Sequence, residues 1–125
     1  MAIMSGRQAI MEIFRTEGVQ YIFGNPGTTE LGLVDMLQDY PQLQYIMCLH
    51  ESVALGAAHM YANASGNTGV VNLHVAPGLG NALGMLYNAR VGKMPLIVTA
   101  SLKRWKPISL STRLMLGPEV MIRRC

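Results

Sequence analysis

Four residues with chemical potential stand where an apolar run of β-type residues gives way to a helical pattern: Gly27, Glu51, His74 and Asn81. A carboxylate and an imidazole can hold and move protons, an amide can orient a ligand, and a glycine lets another group come close. Glu51 is the most informative of them. Tyr45-Ile46-Met47-Cys48-Leu49 reads as a strand that ends beside it, and the Ala/Gly-rich helical pattern of Val53-Ala54-Leu55-Gly56-Ala57-Ala58 begins at once. That places one carboxylate at the carboxyl edge of a parallel sheet, where open α/β sheets bind their ligands. By type alone Glu51 would equally suit a helix N-terminal acid that complements the dipole. His74, taken alone, would suit a hydrogen-bonded core histidine. Their shared placement at β-to-α junctions is what raises both above those readings, because the fold should bring all four to one edge.

The elements that must position them alternate along the chain. Ser5-Gly6-Arg7-Gln8 reads as a capping box opening a helix whose apolar face holds Ile10, Ile13 and Phe14. Gly18 stops it, and Val19 to Phe23 reads as a strand. Gly24-Asn25-Pro26-Gly27 is a turn. Thr28 or Thr29 then caps a helix with Glu30 in its first turn, favourable to the dipole, and Leu31, Val34 and Leu37 on its buried side. The strand Gln44–Leu49, a helix from Glu51 to about Ala64, the strand Val70–His74, a helix to about Val91 and the strand Leu96–Ala100 follow. Near-continuous apolar strands alternating with helices predict a doubly wound α/β fold, a parallel sheet with helices on both faces.

The chain has 125 residues, half of them hydrophobic, which suits one domain with a real core. The net charge of +3 is unevenly spread. Residues 1–100 carry four basic and six acidic groups, and residues 101–125 carry six basic and one acidic. Residues 1–100 therefore read as the domain and 101–125 as a divergent basic tail, where Pro107, Gly117 and Pro118 interrupt any pattern. A basic face on the folded part is missing, so no nucleic-acid partner is expected. No apolar run spans a bilayer and no leader pattern opens the chain, so a cytoplasmic protein without a membrane partner is expected. Cys48 lies in an apolar strand and Cys125 ends the chain; neither has metal or redox spacing. His50 and His59 are nine apart, on opposite helix faces, so no metal site is expected.

Gly78-Leu79-Gly80-Asn81-Ala82-Leu83-Gly84 approaches a dinucleotide glycine loop, but its third glycine is one residue late and no acidic residue lies about 20 residues on. Lys103 and Arg104 would suit a 2′-phosphate, so an NADP-binding domain stays open as an alternative. A tight turn that needs small residues accounts for the glycines as well.

Four ordered blocks carry a resemblance. Phe23-Gly24-Asn25-Pro26-Gly27-Thr28-Thr29-Glu30-Leu31, Leu49-His50-Glu51-Ser52-Val53-Ala54, Val71 to Ala82 and Pro95 to Ala100 resemble the N-terminal pyrimidine-binding domain of thiamine diphosphate-dependent enzymes of the benzoylformate decarboxylase and acetolactate synthase group. The resemblance covers residues 5–100, and Asn72-Leu73-His74 leans toward benzoylformate decarboxylase. It implies a 2-oxo acid decarboxylase or carboligase in which the residue matching Glu51 hydrogen-bonds the aminopyrimidine ring nitrogen of thiamine diphosphate. It implies a proton-transfer role for His74, cofactor-pocket positions at Asn25, Pro26, Gly27 and Asn81, and a hydroxyl facing the substrate carboxylate at Thr28. Mg²⁺ and the diphosphate would be held by a separate domain, on a second subunit or a separate chain, and a homo-oligomer is expected. No Gly-Asp-Gly segment of that kind occurs here. The chain is therefore expected to be inactive alone, as a truncated or frameshifted product or a split subunit. A non-catalytic interaction or regulatory domain is the alternative.

Overall fold

In a computed structural model, residues 4–101 are described. The expected basic tail lies, apart from Ser101, outside the described residues. The elements run α1 (Gly6–Thr16), β1 (Tyr21–Asn25), α2 (Leu31–Val34), a 3₁₀ turn (Asp35–Asp39), β2 (Gln44–Met47), α3 (Glu51–Ser65), β3 (Gly69–Leu73), α4 (Val75–Val91) and β4 (Leu96–Ala100). The four strands form one parallel sheet in the order β2-β1-β3-β4. The chain steps from β1 to β2 on one side and returns to β3 on the other. The carboxyl ends of β1 and β3 therefore flank the switch point where such sheets hold ligands.

One face of the sheet packs on α3 and α4. Ala54, Leu55, Ala58 and Ala62 of α3 and Ala82 and Ala89 of α4 meet Phe23, Val71, Leu73 and Leu96. Small residues set the spacing: Gly69 has no room for a side chain against the Ala58 carbonyl, and a Cβ on Gly56 would come to 3.3 Å from Met85. The other face packs on α1 and the α2 region, where Met11, Phe14, Ile22, Tyr40, Leu43 and Val70 form a second core. Full burial of such aliphatic and aromatic side chains contributes about 1.5–3 kcal/mol each. The doubly wound α/β expectation holds. Cover is complete over β3, every residue of which is buried, whereas the edge strand β2 is largely exposed.

Local expectations fared unevenly. The capping box of Ser5 and Gln8 is present, and Gly18 takes a φ of +69° just past the end of α1. Ile13, expected on the buried face, is exposed, and Met11 is buried in its place. The expected helix after Thr29 is a four-residue turn followed by the 3₁₀ segment, with Leu31 exposed and Leu33, Met36 and Leu37 packed on the second core. Neither Thr28 nor Thr29 caps it. Its N-cap position is Glu30, whose side chain points elsewhere. The glycines at 78, 80 and 84 lie inside α4, not in a turn before it. Cys48 is a buried free thiol, as its apolar setting predicts. Among the described residues no helix is long and apolar enough to cross a membrane, and no cluster of potential metal ligands occurs.

Candidate active site

The carboxyl edge carries two buried glutamates, each in its own hydrogen-bond set. Glu51 opens α3 and is 7% exposed. Asn25, the last residue of β1, donates its amide N–H to Glu51 Oε1 at 3.3 Å, and Asn81 of α4 donates to Oε2 at 3.0 Å. The Asn81 amide does most to hold the carboxyl below the usual range. Burial opposes it, and the backbone N–H of Glu51, the Asn25 amide and the nearby His50 reinforce it. Gly78 closes one side: a Cβ there would stand 3.2 Å from Glu51 Oε1 and 3.3 Å from its Cγ. Within the glycine-rich stretch it is Gly78 that permits this close approach to a carboxylate; Gly80 and Gly84 have nothing within 4 Å of an added carbon. The Ser52 hydroxyl donates to the Asn81 carbonyl and ties the start of α3 to α4. His50 is the N-cap of α3, its Nδ1 accepting from the Ser52 N–H at 3.2 Å.

The second glutamate is Glu30, 1% exposed. Its Oε2 accepts from the Gly27 N–H at 2.9 Å and lies 2.7 Å from His74 Nδ1, and its Oε1 accepts from the Thr29 hydroxyl at 2.6 Å. Burial alone would raise this carboxyl. The Thr29 hydroxyl, His74, the Ser101 side chain and the Gly27 N–H outweigh it, so Glu30 is held low. The expectation that Glu30 serves as a dipole acid is therefore corrected: four donors converge on it and draw it into the interior. His74 lies over Gly27, where any Cβ would overlap its ring. Val75, the next residue, has a φ of +44°, a strained conformation for a β-branched side chain. That strain sits where the chain leaves β3 for α4.

Of the sequence candidates, the structure joins Asn25, Glu51 and Asn81 in one cluster and Gly27 and His74 in another. Pro26 links the two through the turn. Thr28 is exposed; it is the neighbouring Thr29 that meets Glu30 and, at 3.3 Å, His74 Nδ1. Sequence reading missed Glu30, Thr29 and Ser101 as parts of this edge. The available signal was the three-residue spacing from Gly27 to Glu30, the reach of a side chain back to a free N–H. It also missed the polar row behind the site: Tyr45 donates to Asn72 at 3.1 Å, Asn72 to Thr99 at 3.0 Å and Thr99 to the Val71 carbonyl at 3.0 Å. Gly24 leaves space for the Tyr45 hydroxyl in that row. Burial pushes the Tyr45 phenol far up, so it stays a neutral donor.

The chain as a whole matches a known family. Residues 4–116 match the family described as "Thiamine pyrophosphate enzyme, N-terminal TPP binding domain". Benzoylformate decarboxylase of Pseudomonas aeruginosa is 41% identical over 115 residues, covering 91% of this chain and 20% of that one. The acetolactate synthase large subunit of Lactococcus lactis is 36% identical over 94 residues, covering 75% of this chain and 16% of that one. Among solved structures, a thiamine diphosphate-dependent 4-hydroxybenzoylformate decarboxylase of Rhodococcus jostii superposes with a TM-score of 0.71 at 38% identity, covering 75% of this chain and 18% of that one. The chain spans about a fifth of the length of the curated relatives it matches. On its sequence and its fold, the chain belongs to the thiamine pyrophosphate enzymes, as their N-terminal TPP-binding domain.

Proposed function

We propose that this chain supplies the pyrimidine half of a thiamine diphosphate site in a 2-oxo acid decarboxylase or carboligase. The observation that carries the reading is Glu51, a buried carboxylate at the sheet's switch-point edge with each oxygen steadied by one neutral amide. The donor set suits one half of the cofactor. A carboxylate flanked by Asn25, Asn81 and Gly78 fits a polar heteroaromatic ring that offers N–H groups. Among the described residues no cluster of potential metal ligands occurs, and Gly78, Gly80 and Gly84 lie within α4 rather than in a loop, so the described residues offer no cradle for a metal-bound diphosphate. That half, with Mg²⁺, would be held by a diphosphate-binding domain on a second subunit or a separate chain.

When bound, thiamine diphosphate supplies a nucleophilic carbon and an electron sink for making or breaking the bond next to a 2-oxo group. The chain's own residues have simpler tasks. Glu51, kept ionised, accepts a hydrogen bond from a ring nitrogen and stabilises its protonated form. Asn25 and Asn81 hold the carboxylate in place. His74 exchanges a proton at the substrate, and Thr28 offers an exposed hydroxyl to the substrate carboxylate. The outward faces of α3 and α4 expose Val53, Met60, Leu83, Tyr87 and Val91, which supports a second copy of the chain covering them.

The test is hydrogen–deuterium exchange at cofactor C2, with the chain supplied with a complementary diphosphate-binding domain. Glu51→Gln keeps the size but cannot stabilise a protonated ring nitrogen. Exchange should slow by roughly 10²–10⁴-fold with little change in Tm. Exchange as fast as that of the unmodified chain would reduce Glu51 to a helix-capping acid and overturn the reading.

A further inference from the structure

We propose that Glu30 is the positioning residue for His74: it fixes the neutral imidazole with its proton on Nδ1 and so leaves Nε2 as the nitrogen free to exchange protons. The inference rests on the proposed proton-transfer role of His74, but its evidence and its test are separate from that role. Every group facing Nδ1 is an acceptor. Glu30 Oε2 lies at 2.7 Å, and a carboxylate held low by the Thr29 and Ser101 hydroxyls and the Gly27 N–H can only accept. Thr29 Oγ1 lies at 3.3 Å, and its hydrogen is already committed to Glu30 Oε1 at 2.6 Å, so it turns lone pairs toward the ring. Gly27 leaves the space the ring needs, and its N–H shares Oε2 with His74, which fixes the oxygen as well as the imidazole. Nε2 has no hydrogen-bond partner among the described residues, and the His74 side chain is 37% exposed. A ring nitrogen's proton follows the hydrogen bond the other nitrogen makes, so the buried partner on Nδ1 determines which nitrogen is presented to a ligand.

The structure also contains the opposite case. His50 Nδ1 accepts from the Ser52 N–H, so His50 must carry its proton on Nε2. The two histidines are expected to show opposite tautomers in one molecule.

The experiment is nitrogen NMR of the ¹⁵N-histidine-labelled chain over a pH series, read on the alkaline plateau of each signal. The chain has three histidines, and His74→Gln assigns the signal of interest by its loss. His74 should show a pyrrole-like Nδ1 and a pyridine-like Nε2, the reverse of the preference of a free histidine side chain, and the reverse of His50. A pyridine-like Nδ1 at His74 in the unmodified chain would overturn the proposal, whatever any variant does. Glu30→Gln retains an oxygen that can accept from Nδ1 and should retain the signature. Glu30→Ala removes the acceptor and should return His74 to the free-histidine pattern; an unchanged pattern in a folded Glu30→Ala chain would also overturn it. None of these readouts depends on cofactor binding. A failed C2-exchange test would therefore strike Glu51 and the proposed function, and a failed tautomer test would strike Glu30 alone.

Discussion

Two glutamates sit at the same edge of the same sheet, and what surrounds them sets them apart. Glu51 is steadied by two neutral amides, one on each oxygen, at 3.3 and 3.0 Å. Its carboxylate keeps lone pairs for a further donor. Glu30 is reached by a backbone N–H, two hydroxyls and an imidazole, and it is almost wholly out of solvent. Its acceptor capacity is used by its own chain. The contrast teaches that burial of a carboxylate does not by itself mark a ligand contact. The count and kind of its donors separates a carboxylate with lone pairs to spare from one whose acceptors are taken up by its own chain.

The two glutamates should differ most in what they contribute to stability. Glu30→Ala leaves the Gly27 N–H, the Thr29 hydroxyl and the His74 Nδ1–H without their acceptor, and should cost about 2–4 kcal/mol in urea unfolding. Glu51→Ala loses one helix-end charge and two amide bonds at the rim, and should cost only about 1 kcal/mol. Equal losses would erase the distinction.

Next in size is a pair of glycines. Gly27→Ala forces a Cβ into the His74 ring and should cost about 1–3 kcal/mol while displacing the imidazole. Gly80→Ala, in α4 with nothing within 4 Å of the added carbon, should instead stabilise by about 0.5–1 kcal/mol. Thermal melts of both variants decide it, and a Gly27→Ala chain as stable as the parent would show that the ring is not held over that glycine.

A smaller change tests one bond. Thr29→Val removes the hydroxyl that Glu30 Oε1 accepts and should cost about 1 kcal/mol. C2 exchange through Glu51 in the supplemented chain should be unaffected. Slowed exchange would mean that the two clusters act as one unit.

The smallest expected effect is on acid stability. Both carboxyls are lowered from the ordinary value of 4.5 in the folded chain. Each therefore contributes stability that is fully present above pH 4.5 and is lost as pH falls through its lower folded value. Glu30→Gln should flatten the acid limb of a stability–pH curve more than Glu51→Gln, because more donors lose a charged acceptor. A steeper dependence on Glu51 would reverse the ranking of the two sites.

Much of this was legible from one dimension. The alternation of apolar strand runs with helical patterns gave the parallel α/β architecture, because periodicity records which faces are buried. Glu51 was conspicuous because it stands at the boundary where one periodicity ends and the next begins, and Asn25, Gly27 and His74 share that kind of boundary; Asn81, expected there too, lies instead on the second turn of α4 and reaches Glu51 from there. Glu30 was misread for a physical reason. An acid before a helical stretch has a common local use at the dipole, and local pattern cannot report a partner 44 residues away. Asn72 and Thr99 looked like ordinary strand residues for the same cause: their partners lie on neighbouring strands, set by a register that only pairing decides.

Residue type and spacing thus determined the elements, the sheet's parallel sense and which polar residues stand at its carboxyl edge. Tertiary structure alone decided which oxygen meets which nitrogen. It made Gly78 a neighbour of Glu51 rather than of a phosphate, gave Thr29 rather than Thr28 to the histidine, and turned Glu30 inward. Hydrogen bonds act over about 3 Å and demand direction, and that geometry exists only after distant segments have packed.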